Sequence, residues 1–304
     1  MRSYRYLHYD VFTDRLFGGN QLAVFPDGRG LAPETMQAIA KEMNFSETTF
    51  VLPAERPDTD VRMRIFTPGN EMPMAGHPTI GSTFALARTG SIAPARDTFV
   101  FGLGVGPVSV SLTWRSGELA FAWMTQLLPT FSAPIDNVRA LAAILSLPEA
   151  AITNTGLPAQ IVSCGLPCVL APVATRRQVD EAMLDRAACQ AFFAGIDTDA
   201  DCVFFFTTEG GGDNATAYSR MFAPDLGIGE DPATGGASGP LGCYLVRHGV
   251  VATDRAGAML SRQGVRMGRP SDIHISIGVE QGAITSVRVG GEAVLAGEGV
   301  LYIP

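Results

Sequence analysis

The chain has 304 residues, enough for two ordinary domains or one large one. With 46% hydrophobic and only 17% charged residues, it can fill packed cores and does not read as disordered. A net charge of −8 argues against a nucleic-acid partner, because phosphate binding calls for a cationic surface.

The first fifteen residues lack the apolar core of a signal peptide. The most apolar stretch, Ile161 to Val173, is interrupted by Ser163, Cys164, Gly165 and Pro167 and is too short to span a bilayer. A cytoplasmic protein without a membrane partner is expected. Cys164, Cys168, Cys189, Cys202 and Cys243 show no CxxC pairing, and there are four histidines, so reduced thiols and no metal are expected. The single lysine, Lys41, falls on the polar side of a helical run, which disfavours Schiff-base chemistry. Gly102–Gly106 (GLGVG) lacks the third glycine and the following helix of a dinucleotide loop.

In chain order, strands are predicted at Tyr4–Phe12, Leu22–Phe25, Thr48–Leu52, Val61–Thr67, Val108–Trp114 and Leu119–Trp123. Further strands are predicted at Gln160–Pro172, Val203–Thr207, Ala217–Phe222, Asp272–Gly278 and Ile284–Val289. Helices are predicted after Pro33, His77, Ile135, Arg176 and Asp231. Many short strands with few helices point to an α+β fold rather than to alternating βαβ units.

An internal repeat organises these elements. RIFTP at 64–68 recurs as RMFAP at 220–224; HPTIGST at 77–83 recurs as DPATGGA at 231–237. Each copy then runs through an apolar helix to Arg88-Thr89-Gly90 or Arg247-His248-Gly249. The repeat lies about 155 residues apart and predicts two similar domains, 1–127 and 128–304, with the boundary in a loop cluster at Gln126–Pro134. A cleft between them is the natural binding site. Both motifs read as helix starts, with His77 and Asp231 at cap-like positions before a proline. Such starts attract anions through unsatisfied N–H groups and the helix dipole. Gly76, Gly81, Gly235 and Gly236 would let a carboxylate approach the backbone. Glu47, in NFSETTF at 44–50, reads from its local sequence as a polar turn; desolvated in a cleft, its pKa would rise toward the range an acid/base catalyst needs.

Five segments together give the chain a clear resemblance: DVFTDRLFGGNQLAVF at 10–25, NFSETTF at 44–50, RIFTPGNEMPMAGHPTIG at 64–81, GEDPATGGASGPLG at 229–242 and QGVRMGRPSDIHI at 263–275. In these it resembles the PhzF family, the phenazine-biosynthesis-like isomerases of diaminopimelate epimerase-like fold. The resemblance implies two pseudo-symmetric domains, each a curled mixed sheet around a central helix, with the last strands packing back on the first domain. It implies a homodimer, no cofactor and no metal. It places the general acid/base on Glu47 and substrate-positioning roles on His77 and Asp231, with Ser46 and Gly76 in the same pocket. The implied reaction is an allylic or α-carbon proton shift on a small carboxylic acid. The family motif commonly reads D-P-x-T-G-S-A, whereas here Gly236 stands where the serine would be, so one hydrogen bond is lost or supplied by a neighbour such as Ser238. Met74 is a second departure, and the phenazine substrate is not carried over. Two rival readings remain. A thiol-based racemase needs cysteines at both helix starts, where this chain has none; a non-catalytic small-acid binding protein would keep the cleft without turnover.

Overall fold

A computed structural model describes residues 1–303. The first half runs β1 (Arg2–Val11), β2 (Asn20–Phe25), α1 (Pro33–Met43), β3 (Glu47–Pro53), β4 (Val61–Phe66), β5 (Glu71–Met72), α2 (Gly76–Arg88), β6 (Thr98–Leu103), β7 (Gly106–Arg115) and β8 (Glu118–Gln126). The second begins with β9 (Thr130–Pro134), α3 (Val138–Ile144), α4 (Ala150–Thr153), β10 (Gln160–Ser163), β11 (Pro167–Pro172), α5 (Arg176–Glu181), α6 (Arg186–Ala194) and β12 (Val203–Thr207). It continues through β13 (Ala217–Ala223), β14 (Ile228–Asp231), α7 (Gly235–Arg247), β15 (Met259–Gln263), β16 (Ser271–Glu280), β17 (Ala283–Gly291) and β18 (Ala293–Ile303).

Local chemistry explains individual elements. α1 opens on Pro33, carries Glu34 in its first turn and the exposed Lys41 in its last, and closes on Asn44 in the left-handed region. Its buried residues Met36, Ile39 and Ala40 follow helical spacing. The GLGVG segment is the tight turn between β6 and β7, with Gly106 at a positive φ. No helix among the described residues is long and apolar enough to cross a membrane.

The strand pairings form one order used twice. In the first half β1 pairs β2, β2 runs parallel to β3, β3 pairs β4, β4 runs parallel to β6, and β7 and β8 follow antiparallel. In the second, β10 pairs β11, β11 runs parallel to β12, β12 pairs β13, β13 runs parallel to β15, and β16 and β17 follow. Each copy inserts its long helix, α2 or α7, at the same crossover. Eleven of the 13 residues of α2 and ten of the 13 of α7 are buried, so each is the core of a curled sheet. The repeat extends to side chains. Arg64 lies over Phe66 and pairs with Glu71, while Arg220 lies over Phe222 and pairs with Glu230.

The ends of the chain are interleaved. β18 pairs with β1 along its whole length, and β17 pairs with β8, so residues 283–303 contribute strands to the first half's sheet. The predicted loop cluster at Gln126–Pro134 holds the end of β8 and all of β9, which pairs with β10. Composition hid that strand: proline and serine sit in it because it is short, exposed and has one partner.

Candidate active site

The two central helices meet end to end at a contact that only glycine permits. A Cβ on Gly76 would lie 2.6 Å from the Gly235 carbonyl carbon and Cα and 2.7 Å from the Gly236 nitrogen; one on Gly235 would lie 3.0 Å from the Phe12 ring. Beside this contact is a cavity of about 90 Å³, lined by Glu47, Gly76, His77, Asp231, Gly235 and Gly236 among others. The cavity therefore gathers six of the eight residues singled out in the sequence; Gly81 packs against Leu22 and Val11 instead. The eighth, Ser46, lies one layer back and donates to Asp231 Oδ1 at 2.9 Å.

Glu47 begins β3, and His77 is the second residue of α2. Glu47 Oε2 and His77 Nδ1 are 3.3 Å apart, close enough to exchange one proton. Both groups are shielded, with side-chain exposures of 12% and 3%, and neither Glu47 Oε2 nor His77 Nε2 has a well-formed hydrogen bond within the protein. Burial lifts the Glu47 pKa well above the usual carboxylate range, and the nearby Asp231 charge lifts it further. Burial also drives the His77 imidazole down to about 3, against a weaker upward pull from the Gln21 backbone. His77 is thus neutral at physiological pH, and its contact with Glu47 is not an ion pair.

Asp231 departs from its expected place. It ends β14, and α7 begins four residues later with Thr234 as its flanking residue. Its carboxylate does not cap the helix. Oδ1 accepts from Asn20 Nδ2 at 2.7 Å and from Ser46, and Oδ2 accepts from Thr234 Oγ1 at 2.6 Å. These donors partly offset burial, which carries its pKa up to about 6. His77 is likewise inside its helix rather than at the cap, which is Ala75.

The two helices have the same length and the same Arg-x-Gly ending, so helical position pairs His77 with Gly236 and not with Asp231. Strand register gives a second correspondence. Phe50 faces Arg64 and Phe205 faces Arg220, so Glu47, three residues before Phe50, corresponds to Cys202. The half-site equivalent to Glu47–His77 is therefore Cys202–Gly236.

Several partners escaped the sequence reading. Asn20 is buried and reaches Asp231 Oδ1, the Ala233 carbonyl at 3.0 Å and His77 Nδ1 at 3.2 Å. The signal available was Gly18-Gly19-Asn20, where Gly19 at φ +60° turns the chain and delivers Asn20. Gln263 knits the Asp231–Thr234 turn through the Asp231 carbonyl, the Thr234 hydroxyl and the Thr234 N–H. Ser238 cannot supply the missing hydroxyl, since its Oγ is buried and donates to the Thr234 carbonyl at 2.9 Å. Cys168 and Cys202 line the cavity with their sulfurs 2.9 Å apart, so both thiols lie on one wall rather than on opposite faces of a ligand. Cys243 sits beside Cys164 in the core instead. Among the described residues, no three His, Cys, Asp or Glu side chains converge in a metal-ligating arrangement.

A family model described as phenazine biosynthesis-like protein, PhzC-PhzF, matches residues 9–299. The chain belongs to the PhzC-PhzF family. This PhzC-PhzF chain is 36% identical over 307 residues to an uncharacterised isomerase of Mesorhizobium japonicum, with both chains fully covered. It is 33% identical over 301 residues to the trans-2,3-dihydro-3-hydroxyanthranilate isomerase of Pseudomonas chlororaphis, covering 99% of this chain and all of that one. A PhzF-family structure from Bacillus anthracis superposes with a TM-score of 0.87 at 27% identity and complete coverage of both chains. A hydroxyproline epimerase from Agrobacterium vitis, at TM-score 0.69 and 14% identity over 99% of this chain and 92% of that one, shares the fold. The PhzC-PhzF chain is accordingly an enzyme of the isomerase/epimerase class, with two pseudo-symmetric halves of the epimerase-like fold.

Proposed function

We propose that this enzyme moves a proton between two carbons of a small carboxylic acid, with Glu47 as its one acid/base and no cofactor in the step. The reading rests above all on the asymmetry of the cavity. Glu47, its pKa raised, stands beside a neutral imidazole on one side, while the matching positions hold Cys202 and Gly236. Ionised Glu47 takes a proton from the carbon next to a conjugating group, and the electron pair delocalises into that group. The protonated carboxyl then returns the proton further along the same conjugated system, so atoms and charge balance without a co-reactant. A single base works from one face, which favours isomerisation over inversion at one carbon.

Among the described residues, no lysine or arginine lines the cavity. The substrate carboxylate is held instead by the first N–H groups of α2 and α7, whose dipoles both point into the cavity. Neutral His77 steadies the charge that develops on the substrate, and Asp231 keeps Glu47 basic while its own oxygens stay on Asn20, Ser46 and Thr234. Transfer of solvent deuterium into β,γ-unsaturated acids tests this. Glu47→Gln is expected to slow exchange by roughly 10²–10⁴-fold while binding persists. Exchange that survives in Glu47→Gln, or is abolished by thiol alkylation, would refute the reading.

A further inference from the structure

Most glycines of the two helix starts are explained by crowding, but Gly236 is not. Gly76 and Gly235 have no room for a Cβ, and Gly81 would drive one to 2.6 Å from Leu22 Cδ2 and 2.7 Å from Val11 Cγ2. A Cβ on Gly236 would meet a single atom within 4 Å, Leu166 Cδ1 at 3.9 Å, and Gly236 is not among the residues with positive φ. A glycine in a helix turn is less stable than alanine, so neither packing nor backbone geometry calls for it here. What the missing side chain leaves is space, and that space opens into the catalytic cavity.

The position gives the space meaning. Gly236 is the counterpart of His77, so the second half-site is hollow where the first carries its imidazole. Leu166, the one side chain within 4 Å of a Gly236 Cβ, bounds the hollow; Met221, Cys168 and Cys202 line the same cavity, as do Asp199 and Asp201. His77 lines that cavity as well, and its Nε2 is buried without a hydrogen bond of good geometry.

Building on the isomerase reading, we propose that Gly236 is a specificity-determining position. The hollow beside it, bounded by Leu166, receives an apolar substituent of the acid whose carboxylate the helix starts hold. The substrate class is then a β,γ-unsaturated acid carrying a ring or branch, not a short linear one. A polar catalytic face and an apolar receiving face orient such an acid in one way only.

Two probe acids test this by calorimetric titration of the whole enzyme: cyclohex-2-enecarboxylate and but-3-enoate. Wild type is expected to bind the ring acid about tenfold more tightly or better, as filling an apolar pocket allows. Gly236→Leu, which fills the hollow, is expected to bring the ratio of the two affinities to about one, with Gly236→Ala between them. Gly236→Ala is also expected to melt no lower than wild type, since its methyl meets nothing closer than 3.9 Å. The proposal is overturned if wild type shows no preference for the ring acid, failure to bind either included, or if Gly236→Leu leaves the ratio unchanged. Deuterium exchange separates this from the parent reading. A size preference that depends on residue 236 without any exchange refutes the isomerase mechanism alone; exchange with an unchanged ratio refutes the hollow alone.

Discussion

The proposed chemistry turns on two buried carboxyls that differ in how they are held. Asp231 has three protein donors; Glu47 has His77 at 3.3 Å and no well-formed hydrogen bond at Oε2. Charge follows from this. Asp231 ionises near pH 6, and its negative charge then disfavours ionisation of Glu47. Glu47 must be ionised to take a proton, so exchange should rise with pH along a limb set by its raised pKa. Asp231→Asn removes the neighbouring charge and lowers that pKa. The limb is therefore expected to move to lower pH. A pH–rate profile of deuterium exchange for the two proteins checks this, and a limb that stays put would show that Asp231 acts on the substrate instead. At this scale the sequence was uneven. His77 and Asp231 stood out in the repeat, whereas Glu47 was reached only through resemblance, because a glutamate in a polar turn carries no local sign of burial. Asn20 was not singled out at all.

Helix starts are where the sequence reading was nearly right and instructively displaced. The repeat located both central helices and their Arg-x-Gly ends, but aligned His77 with Asp231 through their shared proline. In the fold, Pro78 is inside α2, while Pro232 lies between β14 and α7, because Asp231 is tied to Thr234 and Gln263 before the helix begins. Helix position, not the H/D-P motif, sets the true correspondence. Six strands were missed by pattern: β5 and β14 have two and four residues, β9 and β15 have five each, and β6 and β18 carry internal glycines. The contact between helix starts yields a sharp comparison. Gly76→Ala must push a methyl into the α7 backbone, and is expected to cost about 1–3 kcal/mol of stability as an overpacked site. Urea unfolding of Gly76→Ala beside Gly236→Ala reads the difference: the first should shift to lower urea and the second should not. Equal midpoints would mean that the two starts are not in fixed contact.

Across the whole molecule, duplication is clear in topology, and the last strands pack back on the first half. β1 takes β18 as one neighbour over ten residues, and β8 takes β17, so the first half's sheet is completed only by strands from residues 283–303. The loop before Asn20 is held in the same way: Arg269 donates to the carbonyls of Gly18 and Gly19 and pairs with Asp10. The candidate cavity needs both halves, since Glu47 and His77 come from one and Asp231 and Gly236 from the other. A fragment of residues 1–127 would expose the apolar edges that β17 and β18 cover, among them the inner faces carrying Leu7, Val11 and Met124. Its backbone donors along β1 would also lose their ladder partners. Such a fragment is expected to lack cooperative thermal unfolding by circular dichroism, while joining residues 283–303 to it through a flexible linker is expected to restore a transition. A cooperative transition in the bare fragment would instead make the first half an independent unit, with the C-terminal strands serving only to dock the second half onto it.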